Sequence, residues 1–307
     1  GFEAGAATLC FGTGFGKQIL EIGGVQLLRF TGDTEIGELP RTPLTYPGSA
    51  ADASWRKDAA ERIEKHRKAS LAVLVVDHAG HPVPDAEVDV QMQRHAFQFS
   101  SIINCGFALD DSEDAEIYRR KVLELFNSTG NENALKWPPW ELEAWGHTRL
   151  GTLEVLDWAQ EHDLYVRGHV LVWPSWHHVP EYVAALRDHP EALAQAVRAH
   201  ILEITTTTRK VVDEWDVVNE PRTNHDIMDV CGRDIMVDWF RVARAVRPNA
   251  PLYINDFGIL NGDGPGSPNH ETYKQTIEYL LDQGAPVTGI GFQGHLGSNL
   301  THPDQVY

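Results

Sequence analysis

The most constraining feature of this chain is an alternation, from Phe97 onward, of short β-rich runs with amphipathic helical patterns. The β-rich runs predict strands at residues 97–103, 123–127, 165–172, 214–218, 252–256 and 288–293. The periodicity between them predicts helices at residues 113–122, 148–162, 190–211, 233–247 and 270–283. Because strand–helix alternation indicates a parallel sheet with helical crossovers, the sequence predicts an α/β fold.

The number and spacing of these units favour a TIM-type (β/α)8 barrel over a doubly wound sheet. No Gly-rich phosphate-binding fingerprint follows a predicted strand, which disfavours a dinucleotide-binding fold. The Gly-rich stretch at residues 12–16 has no helix after it and is interpreted as a turn. Since six strands do not close an eight-stranded barrel, we expect an incomplete barrel of about six strands in this chain.

The part of the chain before the barrel divides into three segments by composition. Residues 1–30 are Gly-rich with alternating apolar positions, which predicts the tail of a β-sandwich module. Residues 31–54 lack periodicity and are interpreted as a linker. Residues 55–95 predict a helix at 55–69 and then a β-hairpin extension, with strands at 71–77 and 86–92. The incomplete barrel then occupies residues 96–307.

Composition limits the partners that this chain can have. Its 307 residues are 42% apolar and 23% charged, which is ample for a hydrophobic core. The formal net charge of −18 argues against nucleic acid and against anionic membranes, because phosphates would be repelled, whereas a neutral polysaccharide is not disfavoured. No run approaches the ~20 apolar residues of a membrane helix, and the first residues do not form a signal peptide. The three cysteines have neither metal nor redox spacing.

The segment Trp-Asp-Val-Val-Asn-Glu-Pro at residues 215–221 places an Asn–Glu pair at the end of a strongly β-forming run. Val217 and Val218 favour a strand, and Pro221 cannot continue one. Glu220 is therefore expected where a buried strand leaves the sheet, and a partly desolvated carboxyl there suits a general acid. Asn219 offers a donor and an acceptor to a sugar hydroxyl. From this heptapeptide alone, a glutamate that caps the next helix is an equally good interpretation.

Polar and aromatic side chains also follow the other predicted strands. In (β/α)8 barrels the active site lies at the carboxyl ends of the strands. The corresponding segments here are 131–137, 167–174, 219–220, 255–256 and 293–295. Amides, imidazoles and indoles at one rim suit a carbohydrate, because aromatic faces stack on sugar rings while polar groups bind hydroxyls. Neither a His-Glu-x-x-His nor a Gly-x-Ser-x-Gly motif occurs, so we expect no metal, no cofactor and no serine nucleophile.

Five segments together resemble glycoside hydrolase family 10, the endo-β-1,4-xylanases, in their order and spacing. They are Glu132-Asn133-x-x-Lys136-Trp137, Gly168-His169-x-Leu171-Val172-Trp173, Trp215 to Glu220, Tyr253-Ile254-Asn255-Asp256, and Gly289 to Leu296. The resemblance covers about residues 96–307. Residues 55–95 look like the helix and hairpin that precede the barrel in a multidomain bacterial subgroup, and residues 1–30 look like the end of a carbohydrate-binding jelly roll.

The resemblance implies a role for individual residues. Glu220 matches the general acid/base in endo-acting, retaining double-displacement hydrolysis of the β-1,4-xylan backbone, and Asn219 matches the residue that holds the 2-hydroxyl of the sugar being cleaved. The remaining matches surround that sugar or bind on its non-reducing side: His169, Trp173, Gln293 and His295 in the first group, and Glu132, Asn133 and Lys136 in the second. The resemblance also implies xylan or xylo-oligosaccharides as ligands and a secreted or cell-surface location.

The chain departs from the family pattern in three places. Pro174-Ser175-Trp176 follows Trp173 where His is common, and Gly294 stands where Ser is frequent. The family's nucleophilic glutamate ends the seventh strand and is expected beyond Tyr307. We therefore expect this chain to be inactive or nearly so unless further residues or another chain complete the barrel. A β-1,4-glucanase with the same type of barrel and a non-catalytic xylan- or sugar-binding protein are the alternative functions.

Overall fold

The computed structural model describes residues 48–260 and 266–295, and its centre is one parallel sheet. The strands are β1 (Ser100–Ile103), β2 (Ser128–Asn131), β3 (Tyr165–Gly168), β4 (Glu214–Asn219), β5 (Leu252–Asp256) and β6 (Gly289–Phe292). They lie in the order β1-β2-β3-β4-β5-β6, and every neighbouring pair is parallel. This sheet is a half-barrel of the TIM type, which confirms the predicted α/β fold.

Helices connect the strands and cover the sheet. Their bounds are α1 (Ser54–His66), α2 (Cys105–Ala108), α3 (Glu113–Leu125), α4 (Trp137–Leu142), α5 (Arg149–Glu161), α6 (Glu181–Ala184), α7 (Pro190–Thr207), α8 (Asp226–Cys231), α9 (Ile235–Val246) and α10 (Pro268–Asp282). A short 3-10 turn spans Trp176–His178. Side-chain caps explain several starts, because Ser112, Thr148 and Ser267 each accept a hydrogen bond from a backbone N–H of the first helical turn.

The second strand differs from the prediction at residues 123–127. In the structure α3 continues to Leu125, and β2 follows at Ser128–Asn131. The apolar residues that indicated a strand belong to the helix, while β2 consists of small polar residues that carry a weak strand signal. Small size is required there, because a Cβ on Gly130 would lie 2.9 Å from the carbonyl oxygen of Arg167 in the neighbouring strand. The strand is fully buried despite its polar composition.

The core lies between the sheet and the helices that follow each strand. All six residues of β4 are buried, as expected for a strand that is covered on both faces of a parallel sheet. Helix α5 contacts β3, α9 contacts β4 and β5, and α7 packs on α8 and α9. The largest fully buried side chains in this part of the core are Trp215, Trp239, Phe240, Ile201 and Ile204. This packing fixes β3, β4 and β5 and the side chains at their ends.

The two outer strands of the sheet present apolar side chains to solvent. In the described part of the chain, β1 pairs with β2 alone and β6 with β5 alone. Ile102 of β1 is 54% exposed, and Ile290 and Phe292 of β6 are 45% and 50% exposed. Such edges are normally paired or covered, because unpaired backbone groups next to apolar side chains promote association with another strand.

The segment before the sheet forms less regular structure than predicted. The predicted helix at 55–69 corresponds to α1, but the predicted strands 71–77 and 86–92 are reduced to a single antiparallel bridge between Val76 and Pro82. Their side chains are largely exposed, and two strands without a covered face are marginal in water. The predicted β-sandwich tail at 1–30 and most of the linker at 31–54 lie outside the described residues. Within residues 48–260 and 266–295, no helix is long and apolar enough to cross a membrane.

Candidate active site

A cavity of about 670 Å³ opens at the carboxyl ends of the strands. It gathers residues from all six strands and from the loops that follow them. All nine residues singled out from the sequence line it: Glu132, Asn133, Lys136, His169, Trp173, Asn219, Glu220, Gln293 and His295. Side chains that are distant in sequence therefore meet at one place, as expected for the C-terminal rim of a barrel.

Glu220 lies directly after β4 in a strained backbone conformation. Its φ of +54° is uncommon for a residue with a side chain, and its backbone N–H donates to the carbonyl of Asn255 at 2.8 Å. Its carboxyl accepts three hydrogen bonds: from Trp173 Nε1 at 3.0 Å, Asn224 Nδ2 at 3.1 Å and Gln293 Nε2 at 2.8 Å. Both carboxyl oxygens are thus held in place at the cavity wall.

Asn219, one residue earlier, is buried at the end of the same strand. Its side-chain oxygen accepts hydrogen bonds from Asn255 Nδ2 at 3.0 Å and from Gln293 Nε2 at 2.9 Å. Gln293 therefore binds both Asn219 and Glu220 through one amide nitrogen. These contacts fix the orientation of the Asn219 amide beside the carboxyl, and an amide can both donate a hydrogen bond to a hydroxyl and accept one from it.

A buried ion network lies beneath His169. Asp216 Oδ2 contacts His169 Nδ1 at 2.8 Å, and Asp216 Oδ1 accepts from Arg167 Nη2 at 2.6 Å. Burial alone would raise the pKa of Asp216, but the hydrogen bonds and charges of His169 and Arg167 hold that pKa below its ordinary value. Arg167 also lies over the ring of Tyr253 at 3.8 Å and contacts Glu214. The network locks the imidazole of His169 in one orientation.

A lysine and an amide form another part of the cavity wall. Lys136 Nζ donates to Asn133 Oδ1 at 2.7 Å, and it lies 5.0 Å from the centroid of the Trp173 ring. Burial lowers the pKa of Lys136, although the charges of Glu220 and Glu132 oppose this effect. An ammonium held among an amide and two carboxyls can donate to hydroxyl oxygens of a bound sugar.

Trp173 contacts the acid and is itself covered on one side. Its indole N–H donates to Glu220, while the ring of His178 stacks on it with centroids 3.3 Å apart and an angle of 8° between the planes. The sequence-based prediction that Trp173 stacks on a sugar therefore concerns the face of the indole that His178 does not cover. It stays a prediction.

Sequence reasoning did not assign Asn224, Asp216 or His178 to the site. Asn224 follows Glu220 by four residues and binds its carboxyl, a spacing that a tight turn after the strand explains. Asp216 lies in β4, but the register of this strand shifts between Asp216 and Val218, so simple alternation along the strand was not a usable signal. His178 had no such signal, because a turn of irregular length brings it back over Trp173.

The carboxyls that line the cavity are few. Among the described lining residues they are Glu132, Asp216 and Glu220. Asp216 is engaged by Arg167 and His169, and Asp256, at the end of β5, is buried behind the cavity wall rather than part of its lining. Of the other two lining carboxyls, Glu220 has both carboxyl oxygens held by hydrogen bonds. In residues 48–260 and 266–295 no group of three or more His, Cys, Asp or Glu side chains could hold a metal ion.

Comparison with known proteins agrees with this geometry. The family model for glycosyl hydrolase family 10 matches residues 91–306, more than half of the chain. The β-1,4-xylanase of Dictyoglomus thermophilum is 31% identical over 58% of this chain and 50% of its own length. The anti-sigma-I factor RsgI6 of Acetivibrio thermocellus is 26% identical over 86% of this chain but only 33% of its own length. The chain thus spans half or less of these two relatives.

Solved structures give the same result for the fold. Xylanase 10B from Thermotoga maritima matches with a TM-score of 0.57 and 27% identity, over 68% of this chain and 63% of that one. The family 10 structure from Paenibacillus barcinonensis matches with a TM-score of 0.58 and 25% identity, over 68% and 64% of the two chains. Together with the matched family model and the cavity at the strand ends, these likenesses show that the chain belongs to glycosyl hydrolase family 10.

Proposed function

We propose that this chain forms the acid/base side of an endo-β-1,4-xylanase. The single observation that carries the proposal is the fixed carboxyl of Glu220, which faces a cavity lined by amides, an imidazole, an ammonium and an indole. Polar groups of this kind bind sugar hydroxyls, and the carboxyl is placed to exchange a proton with a ligand in the cavity. Family membership and relatives that bear the name xylanase support xylan as the polymer.

In the proposed double displacement, Glu220 acts twice. It first gives its proton to the glycosidic oxygen as the bond from the anomeric carbon to that oxygen breaks, and a carboxylate nucleophile forms the new bond to that carbon. The ionised Glu220 then takes a proton from water as the water oxygen displaces the nucleophile, which restores both carboxyls. Asn219 and Gln293 hold the sugar and the acid in register during both steps.

The proposed nucleophile is a glutamate outside the described residues. A retaining mechanism needs the two carboxyls about 5–5.5 Å apart. The other described carboxyls of the cavity already contact other side chains of the protein. Asp216 is occupied by Arg167, and Glu132 contacts Asn104 Nδ2 at 3.5 Å. A 2-deoxy-2-fluoro xylobioside with a good leaving group should trap the nucleophile as a stable ester. Peptide mapping that finds the label on Glu132 or Asp216 would contradict this assignment.

We also propose that further β/α units complete the barrel in the active protein, either as further residues of the polypeptide or as another chain. The exposed apolar residues Ile102, Ile290 and Phe292 on the two outer strands support this proposal. Native mass spectrometry separates the two sources. A single polypeptide heavier than 34.3 kDa favours further residues, and a complex of this chain with a partner favours another chain.

Initial rates of reducing-sugar release test the substrate. The protein with its complete barrel should hydrolyse xylan faster than carboxymethyl cellulose, and Glu220→Gln should lose the activity while its circular dichroism spectrum is retained. The opposite substrate preference would support the alternative β-1,4-glucanase.

A second candidate is sugar recognition without hydrolysis. The observation that favours it is the match of 86% of this chain to an anti-sigma-I factor, because the name of that relative indicates regulation rather than hydrolysis. Isothermal titration with xylo-oligosaccharides distinguishes the two candidates. Binding without release of reducing sugar, by the protein with its barrel complete, would replace the hydrolase proposal with this one.

We place the protein outside the cell or at its surface, because a polymeric substrate does not cross a membrane. Cell fractionation tests this location. It would be contradicted if neither the protein nor xylanase activity were found in the culture medium or at the cell surface.

A further inference from the structure

His178 belongs to a short turn that is closed by a backbone hydrogen bond and tied to α8 by a second hydrogen bond. The backbone N–H of His178 donates to the carbonyl of Ser175 at 2.9 Å, which closes the 3-10 turn. The backbone N–H of Trp176 donates to Asp226 Oδ2 at 2.8 Å, at the start of α8. The imidazole is therefore presented from a turn whose own position is fixed by another element.

The imidazole lies flat on the indole of Trp173. The centroids are 3.3 Å apart and the planes differ by 8°, so the two rings overlap almost face to face. The same indole donates its N–H to Glu220 at 3.0 Å. A tryptophan side chain has two rotatable bonds, and a hydrogen bond from its rim restrains only part of that freedom. A ring stacked on its face restrains the remaining rotation.

The charged and titratable groups around His178 come from several elements. Glu220 follows β4, Lys136 precedes α4, His177 is its neighbour in the turn, and Asp226 begins α8. Burial lowers the pKa of His178, and the cationic neighbours add to this effect while the two carboxyls oppose it. A neutral ring is thus favoured on the indole near neutral pH.

We propose that His178 is a positioning residue that holds the Trp173 indole so that its N–H donates to the Glu220 carboxyl. This inference rests on the proposed role of Glu220, but it assigns a function to a residue of the irregular turn after Trp173. The contact chain runs from His178 to Trp173 to Glu220, and only the last member touches the reacting atoms. An apolar ring of similar size at position 178 should therefore serve nearly as well as the imidazole.

Exchange of the Trp173 indole proton with water tests this proposal without any turnover. The resonance is assigned by its absence in Trp173→Phe, and its exchange rate is measured by NMR in each variant. In His178→Ala the exchange should accelerate by roughly tenfold, because a weaker hydrogen bond to Glu220 leaves the indole proton exposed to water more often. His178→Phe should retain the slow exchange of the parent protein. His177→Ala, which removes the exposed neighbouring imidazole, is the matched control and should change nothing.

Kinetics on the protein with its complete barrel provide the second readout. His178→Ala should lower kcat on xylan by roughly tenfold, since it misplaces the indole that donates to the acid, and any rise in KM would report the sugar contacts of Trp173. His178→Phe should restore most of the loss. The proposal would be overturned if His178→Ala had the same exchange rate and the same kcat as the parent protein. It would also be overturned if His178→Phe folded but showed the same losses as His178→Ala. Intact hydrolysis in Glu220→Gln would instead refute the proposed function. The exchange measurement would still test whether His178 holds the Trp173 indole, because it does not depend on hydrolysis.

Discussion

Arg167→Met should destabilise the fold strongly, because it removes the cation that neutralises a buried carboxylate. Asp216 has a side chain that is only 4% exposed, and its Oδ1 atom accepts from Arg167 Nη2 at 2.6 Å and from Nε at 3.2 Å. Removal of one partner of a buried ion pair typically costs about 3–5 kcal/mol. Arg167 is itself 31% exposed and Asp216 keeps its contact with His169, so we expect about 3 kcal/mol.

Urea and thermal unfolding followed by circular dichroism measure this loss. A cost of about 3 kcal/mol corresponds to a fall in Tm of roughly 6–12 °C for a domain of this size. Arg198→Met is the matched control, because Arg198 pairs with Asp238 at the surface, is 54% exposed, and should cost less than about 1 kcal/mol. The double variant Arg167→Met/Asp216→Asn should be more stable than Arg167→Met alone, since it buries no unpaired charge.

The destabilisation by Arg167→Met should also depend on pH. The pKa of Asp216 is held below its usual value of about 3.9 in the folded state, so its stabilising contribution is present above that value. The contribution is lost as the pH falls through the folded pKa. The difference between the parent and Arg167→Met should therefore be largest near neutral pH and shrink below about pH 4. An Arg167→Met variant no less stable than Arg198→Met would refute the reasoning.

Three further predictions follow from individual contacts. Gln293→Ala should lower kcat on xylan by roughly tenfold or more with an unchanged unfolding curve, because it removes one donor to Glu220; a wild-type kcat would contradict this. Gly168→Ala should lower Tm in a thermal scan, because its Cβ would come 2.4 Å from the Trp215 ring; an unchanged Tm would contradict that contact. Burial lowers the pKa of His200 to about 3, whereas the same imidazole in the unfolded chain binds a proton below about pH 6.5. The free energy of unfolding should therefore decrease as the pH drops below about 6.5. His200→Phe should flatten this part of the stability–pH curve, and parallel curves would contradict the assignment.

The carboxyl ends of β1, β4, β5 and β6 were predictable from the sequence to within one residue. At these ends a short apolar run stops abruptly at a polar pair, as at Asn219 and Glu220, and parallel topology brings such ends to one rim. The five segments that resemble the family pattern all contribute to the cavity or to strands that frame it. The resemblance of these segments to the family therefore identified nine residues that line the cavity, but it did not identify Asn224, Asp216 or His178.

Features that depend on tertiary packing were not predictable in the same way. Strand β2 was misplaced because Ser128–Asn131 has no apolar alternation, and its burial comes from neighbours that approach closely at Gly130. The predicted hairpin strands at 71–77 and 86–92 are rich in β-forming residues, but the structure gives them no covered face. The stacking of His178 on Trp173 arises from the path of a turn, which periodicity does not describe.

The role of Glu220 as proton donor is tested most directly by two substrates whose leaving groups differ in acidity. In the protein with its complete barrel, Glu220→Ala should lower kcat/KM on xylan by roughly 10²–10⁴-fold, because the sugar alkoxide needs a proton to depart. On an aryl xylobioside with a strongly acidic phenol, kcat/KM should change little, because that leaving group departs as an anion. Equal losses on both substrates, or no loss on xylan, would contradict the account.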